Sequence, residues 1–158
     1  MTSGAVGTDR SVLLDVRGLK KYFPIRRGIL QKTIGHVKAV DDVTFFLNRG
    51  ETLSLVGESG CGKTTTARCI LRAIAPTAGQ VLLSDNGEVL DVATVPKSRL
   101  RPLRRQMQMI FQDPYSSLNP RHTVGTIISS PFQVQKVTPP GGVKAAVQDI
   151  MARVGLNP

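Results

Sequence analysis

The stretch "GESGCGKTTT", residues 57 to 66, constrains this chain more than any other. Gly57, four spacers (Glu58, Ser59, Gly60, Cys61), then Gly62, Lys63 and Thr64 satisfy the pattern GxxxxGK(S/T). The apolar run "TLSLVG" at 52–57 predicts a strand before it. Ala67, Ile70, Leu71 and Ile74 recur behind it at the spacing of one helical face, and "APTAG" predicts the end of that helix. The order is therefore strand, glycine loop, helix. Gly60 and Gly62 let the backbone turn inward, so that successive N–H groups from Gly57 to Lys63 can face an anion with no side chain in the way. Lys63 supplies a point charge for β and γ oxygens, and the helix starting near it presents its positive end. Thr64 is the expected Mg²⁺ ligand, and Thr65 is placed to support an α-phosphate. In a chain of this composition the pattern arises by accident about once in a hundred cases.

The remaining sequence predicts a sheet and several short helices. Residues 1–10 are small and polar and are expected to be disordered. Strands fit "SVLLDVRGL" at 11–19 and "VKAVDDVTFFLN" at 37–48, and the mixed residues 24–36 between them read as a loop or irregular hairpin. "NRGE" at 48–51 is a tight turn, and "QVLLS" and "GEVLDV" flank "DNG" as a hairpin. "KSRLRPLRRQ" at 97–106 suggests a basic helix or turn with Pro102 near its start, and "QMQMIFQ" at 106–112 an extended segment. "TVGTIISSPF" predicts a helix capped by Thr123 and broken at Pro131. Val143, Val147, Ile150 and Val154 stripe a last helix that stops at Gly155.

With 158 residues and 41% apolar content, the chain suits one globular domain. No apolar run reaches the ~18 residues of a membrane-spanning helix. The opening residues have no secretory pattern, so the expected compartment is the reducing cytosol. Cys61 and Cys69 lie about 12 Å apart along a helix and cannot pair; Cys61 reads as a spacer of the loop. His36 and His122 stand alone, without a second ligand at metal spacing. The net charge of +10 raises nucleic acid as a partner. Acids, however, are scarce after Asp91, while Lys97, Arg99, Arg101, Arg104 and Arg105 crowd nine positions, the imbalance expected if an acidic portion is missing.

A second feature narrows the class. In "MIFQDPYSSLNPR", residues 109 to 121, an extended segment delivers Gln112 into a loop, where a neutral amide can coordinate Mg²⁺ or orient water beside a γ-phosphate. Together "GESGCGKTT" and "FQDPYSSLNPR" resemble the ATP-binding subunit of ABC transporters, in its oligopeptide and dipeptide importer branch. The resemblance runs from about Leu13 to the last residue. It implies an α/β P-loop NTPase fold with an antiparallel β subdomain, the start of a helical subdomain at about residues 115–158, and an incomplete sheet. It also implies ATP and Mg²⁺ as ligands, with Gln112 touching the metal and an aromatic stacking on adenine. In "LKKYF" that position matches Phe23, with Tyr22 a near rival and a core aromatic the plain alternative. The implied partners are membrane permease subunits near Gln112, a second ATP-binding subunit and, indirectly, a peptide-binding protein, with the chain peripheral on the cytoplasmic face of the membrane. Nucleic acid is then not expected, and the basic run reads as a solvated or permease-facing surface.

The resemblance also calls for a strand ending in Asp-Glu, which would hold Mg²⁺ and polarise the attacking water. It calls further for an LSGGQ-like signature and a switch histidine. None occurs after residue 66, and "PPGG" is no substitute. The family pattern puts all three beyond residue 158, so a truncated chain of poor stability is expected, with nucleotide binding but no independent turnover and no catalytic residue of its own. Two other readings stand beside an importer subunit: a nucleic-acid-directed P-loop ATPase, and a non-catalytic fragment that binds only nucleotide or a partner.

Overall fold

A computed structural model describes residues 11–28, 31–85, 87–111, 113 and 118–157. The chain divides into two compact units, residues 1–100 and 101–158.

In the first unit, four strands among the described residues form one sheet in the order β2-β1-β3-β4, every pair antiparallel. β1 (Val12–Arg27) and β2 (Lys32–Asn48) are much longer than the predicted strands. Among the mixed residues 24–36, Pro24 to Arg27 thus pair with Lys32 to His36 as an irregular ladder. Alternation fails there because the ladder shifts register, for example between Ile25 and Arg26, so sidedness is interrupted rather than absent. β3 (Ala78–Asp85) and β4 (Glu88–Asp91) form the expected second hairpin, closing between Asp85 and Glu88. Asp91 ends β4: one carboxylate oxygen accepts from the Val81 N–H at 3.1 Å and the Ala93 N–H at 3.0 Å, and the other from the Thr94 hydroxyl at 3.0 Å. Val16, Leu19, Val81 and Val92 are fully buried and centre the core. Each such side chain contributes about 1.5–3 kcal/mol of burial.

The predicted strand "TLSLVG" has no ladder among the described residues, and Leu53, Leu55 and Val56 face solvent, Val56 at 92%. An extended segment becomes a strand only when a neighbour accepts and donates its backbone hydrogen bonds, and none is in register here. The "NRGE" turn forms as expected: the Glu51 N–H donates to Asn48 O at 3.2 Å, and the Asn48 N–H to the Glu51 carboxylate at 2.9 Å.

Helix α1 (Lys63–Ile70) is shorter than the apolar stripe to Ile74 predicts. Arg72 takes a left-handed φ of 48°, and its guanidinium donates to the carbonyl oxygens of Val92 and Val95. That long-range tie ends the helix one turn early. The chain then returns to β1: the Thr77 N–H donates to Lys20 O at 2.7 Å, and Tyr22 N–H to the Thr77 hydroxyl at 2.9 Å. α2 (Lys97–Leu103) carries Pro102 in its last turn, not near its start as expected. The ring removes one backbone hydrogen bond there, and the helix stops one residue later.

In the second unit, residues 107–111, expected to be extended, carry no strand assignment; the Met107 N–H donates to Leu103 O at 3.3 Å, Met107 and Met109 are half-buried, and Ile110 is exposed. α3 (Val124–Gln135) is capped as predicted, the Thr123 hydroxyl accepting from the Thr126 N–H at 3.2 Å. It runs through Pro131 instead of breaking there: the ring removes one backbone hydrogen bond, and four more residues remain helical. Arg105 holds its far end, donating to Gln135 O at 2.9 Å. α4 (Gly142–Arg153) packs on α3 and buries Val147, whereas Ile150 and Val154 of the predicted stripe stay largely exposed. Among the described residues, no helix is long and apolar enough to cross a membrane.

Candidate functional site: the glycine loop and the start of α1

The loop folds around its own lysine. The Lys63 ammonium donates to the carbonyl oxygens of Gly57 and Glu58, each at 2.7 Å, and lies 3.5 Å from the Cys61 thiol sulfur. These contacts bend Gly57 to Gly62 into an arc over the helix start, and a turn hydrogen bond from Cys61 N–H to Glu58 O at 3.3 Å tightens it. Gly60 and Gly62 both take left-handed φ values, 83° and 97°. Gly62 is the N-cap residue of α1 and offers no side-chain oxygen, and the first turn carries no acid. The positive end of the helix and its first free N–H groups therefore keep their capacity for an external anion.

Thr64 is exposed and Thr65 half-buried at the same helix end. Thr66, which the sequence reading passed over, is buried and braces the loop from below. Its hydroxyl donates to Gly62 O at 3.0 Å, and its N–H donates to the same oxygen at 2.8 Å. The signal was available as a hydroxyl four residues after the glycine that caps the helix. Glu58 and Ser59 are exposed.

β2 backs the loop. An ideal Cβ on Gly62 would overlap the carbonyl oxygen of Ala39, so the loop lies directly against the strand. Val40, next along, pairs with Lys21 of β1, and Phe23 follows two residues further, about 7 Å along the strand. Phe23 is 38% exposed and so is no core aromatic; Lys21 lies over its ring, 4.9 Å from the centroid. The rival Tyr22 is engaged elsewhere, its O–H donating to Asp41, while the Lys38 ammonium donates to the other Asp41 oxygen at 3.2 Å. The hydrogen bond from Tyr22, then that from Lys38, hold the Asp41 carboxyl below its ordinary range, and the same bond to Asp41 pushes the Tyr22 phenol up. Gln112, with Pro114 to Ser117 of the "DPYSS" stretch, lies outside the described residues. Cys61 and Cys69 are both free, Cys61 exposed and Cys69 buried. No cluster of three or more His, Cys, Asp or Glu side chains capable of holding a metal occurs among the described residues.

A cradle of backbone donors, one lysine and a bare helix start is suited to a polyphosphate, and a family model described as ABC transporter matches residues 40–158 of this chain. The chain belongs to the ABC transporter family. Membership implies nucleotide binding. The chain is 44% identical over 151 residues to the oligopeptide transport ATP-binding protein AppF of Bacillus subtilis (strain 168), covering 95% of itself and 45% of that protein. It is 45% identical over 150 residues to the glutathione import ATP-binding protein GsiA of Escherichia coli (strain K12), covering 95% of itself and 23% of the relative. The chain thus spans less than half the length of either relative. Its fold is similar to the dimeric ATP-binding cassette MJ0796 in a post-hydrolysis state bound to ADP and Pi. The TM-score is 0.60 at 20% identity, over 78% of this chain and 48% of the other. The expected α/β ATPase fold, with its antiparallel β portion, is the one observed.

Proposed function

We propose that this chain is the ATP-holding portion of an energising subunit that drives import of peptides through a membrane permease. The observation that carries the reading is Lys63 drawn into an arc of carbonyls above the uncapped start of α1. A lysine in that position can exchange carbonyl acceptors for phosphate oxygens without moving its stem, since an ionic acceptor outcompetes a neutral one. In this reading the amides of Gly57 to Gly62 and Lys63 hold the β- and γ-phosphates, and Thr65 supports the α-phosphate. The Thr64 hydroxyl is one hard-oxygen ligand for Mg²⁺ and Gln112 a second. Phe23 carries the adenine. The peptide class is supported by the similarity to AppF, an oligopeptide transport protein.

The chain's own residues bind and orient the nucleotide. Bound ATP draws two such subunits together, hydrolysis lets them part, and the cycle is passed to the permease through the region of Gln112 on the cytoplasmic face of the membrane. A peptide-binding protein delivers the cargo to the permease and meets this chain only through it.

Isothermal calorimetry of the full chain with Mg-ATP tests the core of the reading. Saturable heat is expected for the wild type, and Lys63→Ala should weaken binding on the order of ten- to hundredfold, the worth of a charge-assisted contact. An unchanged affinity in that variant would contradict the assignment.

A further inference from the structure

Lys21 joins two places that the sequence keeps far apart. Its ammonium donates to the Ala75 carbonyl oxygen at 2.8 Å and at the same time lies 4.9 Å from the centroid of the Phe23 ring. Ala75 follows the C-terminal end of α1, whose N-terminal end carries the phosphate loop. One cation thus connects the exposed aromatic to the segment that follows the helix beginning at the anion site.

The sheet does little to hold that ring. β3 stops pairing with β1 at Lys20 and Ala78 and Thr77 bonds the backbone of Tyr22, so beyond that point β2 is the neighbouring strand among the described residues, with Val37 opposite Phe23. Both Phe23 and Val37 are exposed. An aromatic on a two-stranded ribbon is free to change rotamer unless another group covers a face. Lys21 is that group, and its own position is fixed by the Ala75 carbonyl. The neighbouring aromatic, Tyr22, is already committed to Asp41.

We propose that Lys21 is a positioning residue for recognition of the nucleobase, acting through Phe23. This rests on the reading of Phe23 as the base platform. The ammonium covers one part of the ring and leaves the rest for a planar base, giving a stack of base, ring and cation. A cation against a phenyl face is attracted by the ring quadrupole, and a ring held in one rotamer before binding loses less freedom when the base arrives. The effect belongs to the base alone, because the triphosphate is held by the loop and not by the ring.

Calorimetry on the full chain separates these contributions when Mg-ATP is compared with magnesium tripolyphosphate, which has no base. Lys21→Met keeps the aliphatic stem and removes the charge. It should lower ATP affinity about two- to fivefold, with tripolyphosphate affinity unchanged. Lys21→Arg, which retains a cation for the ring, should restore most of the loss. In a Phe23→Ala background Lys21→Met should add nothing further, since the ring through which it acts is gone. If Phe23→Ala leaves ATP affinity intact, the platform reading fails and the role of Lys21 fails with it. If Phe23→Ala weakens ATP but Lys21→Met does not, only the role of Lys21 is overturned. Equal loss for ATP and tripolyphosphate in Lys21→Met would make Lys21 a general brace of the fold and would also overturn the proposal.

Discussion

Gly62 lies against Ala39 so closely that no side chain fits between them: a Cβ at position 62 would overlap the Ala39 carbonyl oxygen, a backbone atom that cannot rotate away. Gly62 also holds a φ of 97°, whereas Gly60, at 83°, has open space where its Cβ would be.

The two glycines therefore predict different penalties. Gly60→Ala should cost about 1–2 kcal/mol of stability, the strain of a left-handed residue alone. Gly62→Ala adds a collision with β2 and should cost more than Gly60→Ala by at least ~1 kcal/mol, with loss of Mg-ATP binding as the helix start is pushed off the strand. Urea unfolding of both variants checks the order. Equal midpoints would mean that the contact with Ala39 is not maintained in solution.

The two thiols should behave as opposites. Cys69 is fully buried, and burial pushes its thiol up against a weaker opposing pull from Lys21; Cys61 is exposed within the loop. A maleimide should label one of the two cysteines in the folded chain and both after denaturation. Mg-ATP at ten times its Kd should slow labelling of Cys61 by about tenfold, because a filled loop leaves no approach to the sulfur. Labelling at an undiminished rate with saturating nucleotide would place the bound molecule away from this loop.

The Tyr22 and Asp41 pair gives a pH window. Asp41 is held below its unfolded value, chiefly by the Tyr22 hydrogen bond, so its stabilising contribution is present above the unfolded carboxylate range. That contribution is lost as pH falls through the lowered folded value. Tyr22 is raised, chiefly by the same bond, so its contribution is present below the unfolded tyrosine value and lost as pH rises through the raised folded one. The bond is intact between those limits. An ultraviolet titration of tyrosinate should show one of the two tyrosines ionising at lower pH in Asp41→Asn than in the wild type. Superimposable curves would show that the bond is not formed.

Much of the site was legible before any fold was known. The spacing of Gly57, Gly62, Lys63 and Thr64 encodes an anion cradle because the bonds that shape its arc are local: the Lys63 ammonium reaches carbonyls only five and six positions away, whereas the backing of Gly62 by Ala39 is long-range. The same holds for the Thr123 cap and the hairpin around Gly87, where local side-chain and turn chemistry is sufficient. Element ends were less legible. α1 stops at Ile70 because Arg72 is drawn to Val92 and Val95, about twenty residues away, which no apolar stripe can announce.

By itself, then, the sequence determined that this protein carries a phosphate loop between a β-prone run and a helix, and which family it resembles, since both reside in short contiguous patterns. Only the tertiary structure decided that "TLSLVG" has no ladder among the described residues, that the Tyr22 hydroxyl is bonded to Asp41, and that Lys21 lies between the Phe23 ring and Ala75. The physical reason is range. Strand pairing, ring exposure and the partner of a long cation depend on which distant segment returns alongside, and that is settled by the burial and hydrogen bonding of the whole unit rather than by neighbours along the chain.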